Sequence, residues 1–256
     1  MTLRCRVQDA QLPKPLLGDP WAAYAAAQLA YDFSRVRAQP SMATVVALRA
    51  RQLDRWAAAF LTRHAEATVV HLACGLDARA HRVEWGPGVR WFDVDLADVV
   101  ELRQKVLPLP KGDYFLVAAS VTDKTWLDAI PADRPTLVIM EGLTMYLSPE
   151  DGKALISRLC ARFPSGELIF DTVGRVMIAM QATQGWLRNS GALMKWAPED
   201  PTAIEEFHAG LKLKEDIFST AMDGIQDAPF YPRLEFGFMS WFPWLRSIGR
   251  LLRYEF

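Results

Sequence analysis

The sequence predicts an α/β fold built on a doubly wound, mainly parallel sheet. Two observations lead to this prediction: five short apolar runs are rich in β-branched residues, and helical segments alternate with most of them. Such runs are typical of strands buried on both faces of a sheet, and the alternation is typical of right-handed crossovers between parallel strands. The predicted strands are Thr68–Ala73, Val89–Asp95, Tyr114–Ala119, Thr136–Met140 and Glu167–Asp171.

Helices are expected before and between these strands. Apolar residues recur at three- and four-residue steps over residues 20–63, which predicts an N-terminal helical segment. A second helical segment is expected over Leu96–Leu107. A third begins after Ser148, which is a typical helix-capping residue followed by Pro149 and two acids, and it extends to Phe163.

The chain beyond residue 174 is less regular and rich in methionine and aromatic residues. Closing strands are expected over Leu213–Ser219 and near Arg253–Phe256. The remaining residues of this part are expected to form a helical cap. The prediction is therefore a sheet core with N-terminal helices on one side and a C-terminal cap.

Composition fits one globular domain. The 256 residues are 51% hydrophobic and 23% charged, which is sufficient to bury a sizeable core. No linker rich in proline, glycine or serine divides the chain. We expect one domain over 1–256, with an N-terminal helical segment (1–66), a ligand-binding core (67–173), and a cap with closing strands (174–256).

Charge and cysteine content argue against several classes of protein. The formal net charge is −1, so neither nucleic acid nor an anionic membrane is an expected partner. The three cysteines lie far apart and the four histidines lack metal-ligand spacing, so we expect neither disulfides nor a metal site. The first residues contain no apolar signal segment, and we expect a cytoplasmic location.

Residues that follow the predicted strands are candidates for ligand binding, because ligands of doubly wound sheets lie at the carboxyl ends of the strands. Gly75 follows the first strand, and the absence of a side chain lets the backbone approach a ligand closely. Asp95 ends the second strand, about twenty positions later, where a carboxylate can accept hydrogen bonds from ribose hydroxyls. Glu141 follows the fourth strand.

The glycine content of the first loop distinguishes between ribose-containing ligands. A dinucleotide fingerprint has glycines at three positions of G-x-G-x-x-G, whereas Ala73–Ala78 contains only Gly75. A pyrophosphate-binding loop is therefore disfavoured, and the sequence has no P-loop. S-adenosyl-L-methionine, which has a ribose and no phosphate, is the expected cofactor.

Three stretches form recognisable motifs, and weaker similarity extends over most of the chain. The motifs are Val70–Arg82, Phe92–Leu96 and Glu141–Leu147, and the weaker segments are Leu48–Leu61, Lys195–Pro201 and Arg250–Phe256. Together they resemble the leucine carboxyl methyltransferase family, including its bacterial polyketide-type O-methyltransferases. The resemblance implies a Rossmann-like class I fold and transfer of a methyl group to an oxygen of a small molecule.

The resemblance also implies roles for individual residues. Arg49 would bind the methionine carboxylate of the cofactor, and Gly75 would let the loop lie against the methionine part. Asp95 would bind the ribose hydroxyls, and Glu141 would contact the methionine amino group. These assignments agree with the chemistry, because a guanidinium is well suited to a carboxylate and a carboxylate is suited to a diol or an ammonium.

The sequence departs from the family pattern at two positions. Ala73 stands where the family has glycine, so the cofactor loop is expected to be narrower. Ser120, with Val121 beside it, stands at the end of the third strand, where the family has an aspartate that contacts adenine. A hydroxyl can still form a hydrogen bond to adenine, while Asp123 and Trp126 are nearby candidates to supply the missing contact.

The methyl acceptor is less well defined by the sequence. Trp186, Met194 and Trp196 are candidates for an apolar acceptor pocket, because the residues around them do not form a single amphipathic face. His208 and Tyr146 are the candidates for a catalytic base, and neither is convincing. A carboxylate acceptor needs no base, which favours a carboxylate or an acidic hydroxyl as the group that is methylated.

Other functions remain open from the sequence alone. The same fold could methylate the C-terminal carboxylate of a protein, or bind the cofactor without catalysis as a scaffold. A nicotinamide oxidoreductase is a further alternative, although the missing glycines disfavour it.

Overall fold

The computed structural model describes residues 1–33, 36, 38–183 and 192–256. These residues form a seven-stranded sheet with helices on both faces. The strands are β1 (Ala67–Leu72), β2 (Val89–Asp95), β3 (Asp113–Ala118), β4 (Thr136–Met140), β5 (Gly166–Val173), β6 (Lys212–Phe218) and β7 (Gly249–Glu255). The α-helices are α1 (Thr2–Ala10), α2 (Pro20–Gln28), α3 (Pro40–Arg63), α4 (Arg79–Arg82), α5 (Ala97–Val106), α6 (Pro149–Arg162), α7 (Arg175–Met180), α8 (Phe230–Ser240) and α9 (Pro243–Arg246).

Strand order in the sheet is β3-β2-β1-β4-β5-β7-β6, and the first five strands are parallel. The order reverses between β1 and β4, so a crevice opens at the carboxyl ends of these two strands. The five predicted core strands are confirmed, and their ends differ from the prediction by no more than two residues. β1 and β4 are buried along their whole length, as their continuous apolar runs indicate.

The C-terminal strands close the sheet in antiparallel orientation. β7 inserts between β5 and β6 and pairs with β5 from Gly249 to Glu255. It begins four residues before the predicted Arg253, because Leu251 and Leu252 are buried in the sheet although they do not alternate with polar residues. The pairing with β5 determines the extent of this strand more than its own pattern does.

Three helical segments differ from the sequence-based expectation. The helical region predicted over residues 20–63 is two helices, because α2 ends at Gln28 and α3 begins at Pro40, in the first helical position. α1 was not predicted, and it packs on α2 and α3. α8 lies within the expected C-terminal helical cap, but its bounds were not predicted, because it is apolar on two opposite faces and lacks the pattern of an amphipathic helix.

Two apolar clusters lie on the two faces of the sheet. One packs beneath α6 and the other beneath α3, which is 24 residues long and crosses β4 and β5. α3 therefore extends across the crevice and brings its own side chains to the carboxyl edge. Within the described residues, no helix combines the length and apolar character needed to cross a membrane.

Candidate cofactor and acceptor site

A cleft of about 170 Å³ opens at the point where the strand order reverses. Three parts of the chain line it: the N-terminal helix, α3, and the loops that follow β1 and β4. Its lining residues are Thr2, Leu3, Arg6, Arg49, His71, Ala73, Cys74, Gly75, Leu76, Asp77, Glu141 and Gly142. Four residues predicted to bind the cofactor, Arg49, Ala73, Gly75 and Glu141, are therefore brought together at one site.

Glu141 is the centre of the charge on one wall of the cleft. Its carboxylate is buried and contacts three guanidinium groups: Arg6 at 3.0 Å, Arg49 at 3.0 Å and Arg79 at 2.5 Å. Burial alone would raise the pKa of Glu141, but the three arginines outweigh it and hold the pKa well below its ordinary value. Glu141 is therefore an anion at every pH at which the protein is expected to work.

Arg49 connects the ends of two adjacent strands. Its Nη2 lies 3.0 Å from Glu141 after β4, and its Nη1 lies 2.7 Å from Asp171 in β5. Asp171 also accepts a hydrogen bond from the amide of Gly142 at 2.6 Å. The guanidinium faces the cleft and is partly exposed, so it can also bind an anionic ligand there.

Arg6, on α1, was not identified from the sequence. It forms a two-pronged ion pair with Asp77, at 2.8 and 3.0 Å, as well as its contact with Glu141. Its Nε is buried and has no hydrogen-bond acceptor among the described residues. Because Arg6 lines the cleft, its guanidinium charge is suited to an anionic ligand group such as a carboxylate.

The loop after β1 contains two residues in the left-handed region of backbone conformation. Ala73 has φ of 51° and Gly75 has φ of 52°. Glycine adopts this conformation without strain, whereas alanine does so at a cost of about 1–2 kcal/mol. No atom lies within 4 Å of the position that a Cβ on Gly75 would occupy, so this glycine leaves open space beside the cleft.

Asp95 connects this loop to the next strand. One carboxylate oxygen accepts a hydrogen bond from the amide of Gly75 at 2.7 Å, and the other accepts from the amide of Leu96 at 2.8 Å. A carboxylate has about four acceptor positions, so capacity remains for the two hydroxyls of a ribose. Asp95 is half-buried and contacts the cleft-lining Gly75, although it does not itself line the cleft.

Asp93, the other acid of β2, has a structural position. It is fully buried and accepts hydrogen bonds from Trp91, Arg103 and Tyr114. Arg103 extends from Asp93 to the carbonyl oxygens of Gly75 and Asp77, at 3.0 and 2.6 Å. This buried network supports the glycine loop from below.

At the end of β3, the structure modifies two expectations for adenine binding. Ser120 Oγ lies 2.8 Å from Thr122 Oγ1 and accepts from the amide of Thr122, so this hydroxyl already stabilises a turn. The side chains of Val121 and Trp126 are buried in the core cluster beneath α6, and the carbonyl of Val121 accepts a hydrogen bond from Arg158. Asp123 is exposed and bonded to Thr125.

A second small apolar cluster adjoins the cleft on the side of β4 and β5. It contains the buried pair Met145 and Met194, with Tyr146, Val173, Met177 and Ile178 packed against them. Burial raises the pKa of Tyr146 above its ordinary value, and Arg49 only partly opposes this effect. Met194, predicted for the acceptor pocket, and Tyr146, a candidate base, are therefore packed in one cluster.

Two of the other predicted acceptor or catalytic residues lie elsewhere. The indole of Trp196 packs over Gly152 of α6 and stacks on Phe207 in the core, because a glycine on α6 leaves space for it. His208 lies near the start of β6, which pairs through Glu255 with the amino end of β5, so it is at the opposite edge of the sheet from the cleft. Trp186 lies outside the described residues.

Comparisons with known proteins agree with this geometry. Residues 2–160 match the model of the family described as leucine carboxyl methyltransferase. The chain is 39% identical over 255 residues to the tetracenomycin polyketide synthesis O-methyltransferase TcmP of Streptomyces glaucescens, covering 100% of this chain and 94% of the relative. It is 36% identical over 238 residues to the S-adenosyl-L-methionine-dependent methyltransferase dpfgK of Gibberella zeae, covering 85% of this chain and 80% of the relative.

Solved structures show the same fold at low sequence identity. A DUF574 family protein from Streptomyces avermitilis has a TM-score of 0.63 at 14% identity, covering 99% of this chain and 96% of that chain. An S-adenosylmethionine-dependent methyltransferase from Mesorhizobium loti has a TM-score of 0.57 at 12% identity, covering 81% of this chain and 100% of that chain. At this level of identity the likeness concerns the fold alone.

Proposed function

The chain belongs to the leucine carboxyl methyltransferase family, and from this premise we propose that it methylates a carboxylate oxygen of a small apolar molecule. It is an S-adenosyl-L-methionine-dependent methyltransferase with a Rossmann-like fold, as its relatives are. What the proposal adds is the chemistry of the acceptor and the role of each residue at the cleft.

The cofactor would lie across the carboxyl ends of four neighbouring strands. Arg49 and Arg6 would hold its carboxylate, and Glu141 would hold its ammonium, because these charged groups lie side by side on one wall of the cleft. The backbone at Gly75 would lie against the methionine chain, and Asp95 would accept hydrogen bonds from the ribose hydroxyls. The ends of β1, β2 and β3 are adjacent in that order, which places the turn at Ser120 next to the adenine.

S-adenosyl-L-methionine supplies an electrophilic methyl group on a sulfonium, and the enzyme's main task is to align the acceptor with it. The apolar cluster around Met145 and Met194 would hold the acceptor and keep water away. Tyr146 would orient the acceptor by donating a hydrogen bond from its hydroxyl. It would not remove a proton, because its raised pKa keeps it protonated at neutral pH.

One observation favours a carboxylate over an alcohol as the acceptor group. The ionisable groups that act on Tyr146 are Arg49 and Asp171, and Asp171 is engaged in an ion pair with Arg49 and accepts from the amide of Gly142, so neither it nor the protonated Tyr146 is a free base. An alcohol needs a base to become a nucleophile, whereas a carboxylate is already ionised at neutral pH. The site therefore suits an acceptor that brings its own negative charge.

Domain organisation and location complete the proposal. We expect one methyltransferase domain over 1–256, in which 67–173 binds the cofactor while 1–66 and 174–256 cover the carboxyl edge. The three cysteines are buried and unpaired, which suits a reducing compartment such as the cytoplasm.

Methyl transfer to a native metabolite extract tests this proposal. The protein is incubated with methyl-labelled S-adenosyl-L-methionine, and labelled products are identified by mass and then treated with mild alkali. A methyl ester loses its label as methanol, whereas a methyl ether retains it. An alkali-labile small-molecule product is expected, an alkali-stable product would overturn the carboxylate assignment, and label found only in protein would overturn the small-molecule assignment.

A further inference from the structure

Helix α8 has apolar residues on two opposite sides. Pro232 and Phe236 are buried on one side, where the helix packs on α3. On the other side, an exposed stripe repeats at helical spacing and borders a groove of about 340 Å³. The stripe consists of Phe230, Leu234, Gly237, Phe238 and Trp241.

Helix α9 and its neighbours extend this surface. Seven large apolar side chains are exposed within fifteen residues: Phe230, Tyr231, Leu234, Phe238, Trp241, Phe242 and Trp244. We name these seven residues, together with Gly237, the α8–α9 face. Trp241 is 80% exposed and Leu234 is 62% exposed, although an isolated soluble domain gains stability by burying such side chains.

The size of the α8–α9 face matches that of a protein interface. An aromatic side chain has a surface of about 150–250 Å², so seven large side chains exposed to this extent present roughly 700–1,000 Å². Monomeric proteins rarely expose apolar patches larger than a few hundred Å². A stable interface of standard size buries about 800 Å² on each partner, which is what this surface provides.

The charges around the face argue against an anionic membrane as its partner. The charged residues on α8 and α9 are Arg233, Glu235 and Arg246, and Arg246 stacks over the Phe218 ring at 4.6 Å. Arg233 is held near the Phe230 ring, at 5.9 Å, and donates to the carbonyl of Gln226. Helices that bind anionic membranes are rich in lysine and arginine on their polar side, whereas the side of α8 opposite the exposed stripe packs on α3.

We propose that the α8–α9 face binds a second copy of this chain, and that the two α8 helices pack antiparallel about a twofold axis. A self-complementary apolar stripe suits such an isologous contact, because each helix buries the same residues on the other. Gly237 lies within the stripe, and no atom lies within 4 Å of the position of a Cβ there, so the two backbones can approach closely. The dimer is independent of the catalytic proposal.

Sedimentation equilibrium of the full chain tests this proposal. The wild type is expected to have twice the chain mass of 28.8 kDa at concentrations well above micromolar. Leu234→Asp is expected to weaken the association at least about a hundredfold, because each protomer would bury an unpaired carboxylate. Leu109→Asp is the matched control, since Leu109 is 65% exposed but lies before β3, outside the α8–α9 face. The Leu109→Asp variant is expected to sediment with the same mass as the wild type.

A cross-link tests the geometry of the dimer. The native cysteines are all buried, so the thiol introduced by Gly237→Cys is the one that is accessible to the cross-linker. We expect a short dimaleimide to join two Cys-substituted protomers at this position, and to give no covalent dimer when Leu234→Asp is also present.

Several results would overturn the proposal. The proposal would be wrong if the wild type were a monomer at every concentration, or if Leu234→Asp left the dimer intact. It would also be wrong if Leu109→Asp dissociated the dimer as strongly as Leu234→Asp does. Flotation with vesicles of phosphatidylcholine and phosphatidylglycerol provides a further arm: a monomer that binds the vesicles, and loses this binding with Leu234→Asp, would assign the face to a membrane and contradict the dimer.

Discussion

The Arg6 guanidinium on the N-terminal helix lies 3.0 Å from the Glu141 carboxylate at the end of β4, 135 residues further along the chain. The same carboxylate contacts Arg49 and Arg79, so one buried acid forms ion pairs with arginines from three separate elements. This arrangement joins α1 and α3 to the carboxyl edge of the sheet. It therefore links the stability of the fold to the integrity of the cofactor cleft.

Glu141→Gln is expected to destabilise the protein as well as to weaken cofactor binding. The change leaves the buried Arg6 and Arg79 and the partly exposed Arg49 with one carboxylate fewer, and breaking a buried ion pair costs about 3–5 kcal/mol. Denaturant unfolding measures this loss. Glu101→Gln, at an exposed acid on α5, is the control and is expected to leave stability unchanged. Equal stability of the wild type and Glu141→Gln would show that Glu141 does not organise this charge cluster.

Acid is expected to destabilise the protein through the same cluster. Burial would raise the pKa values of Glu141 and Asp77, but neighbouring arginines hold both well below their ordinary values of 4.5 and 3.8. Their contribution to stability is therefore present above the ordinary carboxyl pKa and is lost as the pH falls towards the lowered values of the folded state. The free energy of unfolding, measured by denaturant titration, is expected to fall steadily below about pH 4.5. A flat profile in that range would contradict the ionised cluster.

Arg49→Lys is expected to raise the KM for the cofactor at least about tenfold and to change kcat less, because lysine retains the charge but not the two-pronged geometry. The structure gives each side of the guanidinium its own carboxylate, Glu141 and Asp171. Steady-state kinetics with varied S-adenosyl-L-methionine measures this effect. Arg55→Lys, on the exposed side of α3, is the matched control and should leave the KM unchanged. If Arg49→Lys had the same KM as the wild type, Arg49 would not bind the cofactor.

Two substitutions in the glycine loop are expected to act in opposite directions. Gly75→Ala places a methyl group beside the cleft in a left-handed conformation, so it should lose about 1–2 kcal/mol of stability and weaken cofactor binding. Ala73→Gly relieves the same strain two residues earlier and should bind the cofactor at least as well as the wild type. Thermal unfolding and cofactor titration measure both effects. If Gly75→Ala bound the cofactor like the wild type, the backbone there would not approach the ligand.

Trp196→Ala distinguishes a core residue from an acceptor contact. Because the indole packs over Gly152 and Phe207, its removal should cost about 3–5 kcal/mol of stability without a selective effect on the acceptor. Leu193→Ala, at a 62% exposed neighbour, is the control and should be nearly neutral. If the Trp196→Ala variant were as stable as the wild type and had a raised KM for the acceptor, Trp196 would be part of the acceptor pocket.

Site residues could be predicted from the sequence where local pattern fixes their position, but not where their position depends on contacts between distant parts of the chain. Gly75, Asp95 and Glu141 could be identified because each lies at or shortly after the carboxyl end of a strand, and parallel strands bring these ends to one edge. Arg6 could not, because its position depends on how α1 packs on α3, which no local pattern encodes. The only available signal was an arginine within a short N-terminal segment of helical spacing.

The acceptor side was predicted less accurately for a similar reason. His208 is in the C-terminal part of the chain, but the antiparallel pairing of β6 and β7 places it at the amino edge of the sheet. The aromatic character of Trp196 suits either a pocket or a core. Its packing against Gly152 shows that it lies in the core. Composition therefore indicates that such side chains make apolar contacts but does not identify their partners.

The position of the cofactor is the central claim, and calorimetric titration of Asp95→Ala with S-adenosylhomocysteine tests it most directly. Asp98→Ala, at an exposed acid in the first turn of α5, is the matched control. We expect Asp95→Ala to remain folded and to bind about ten- to a hundredfold more weakly, because hydrogen bonds to a charged group are lost. Asp98→Ala is expected to bind like the wild type. Unchanged affinity in a folded Asp95→Ala would contradict the placement of the ribose at the end of β2.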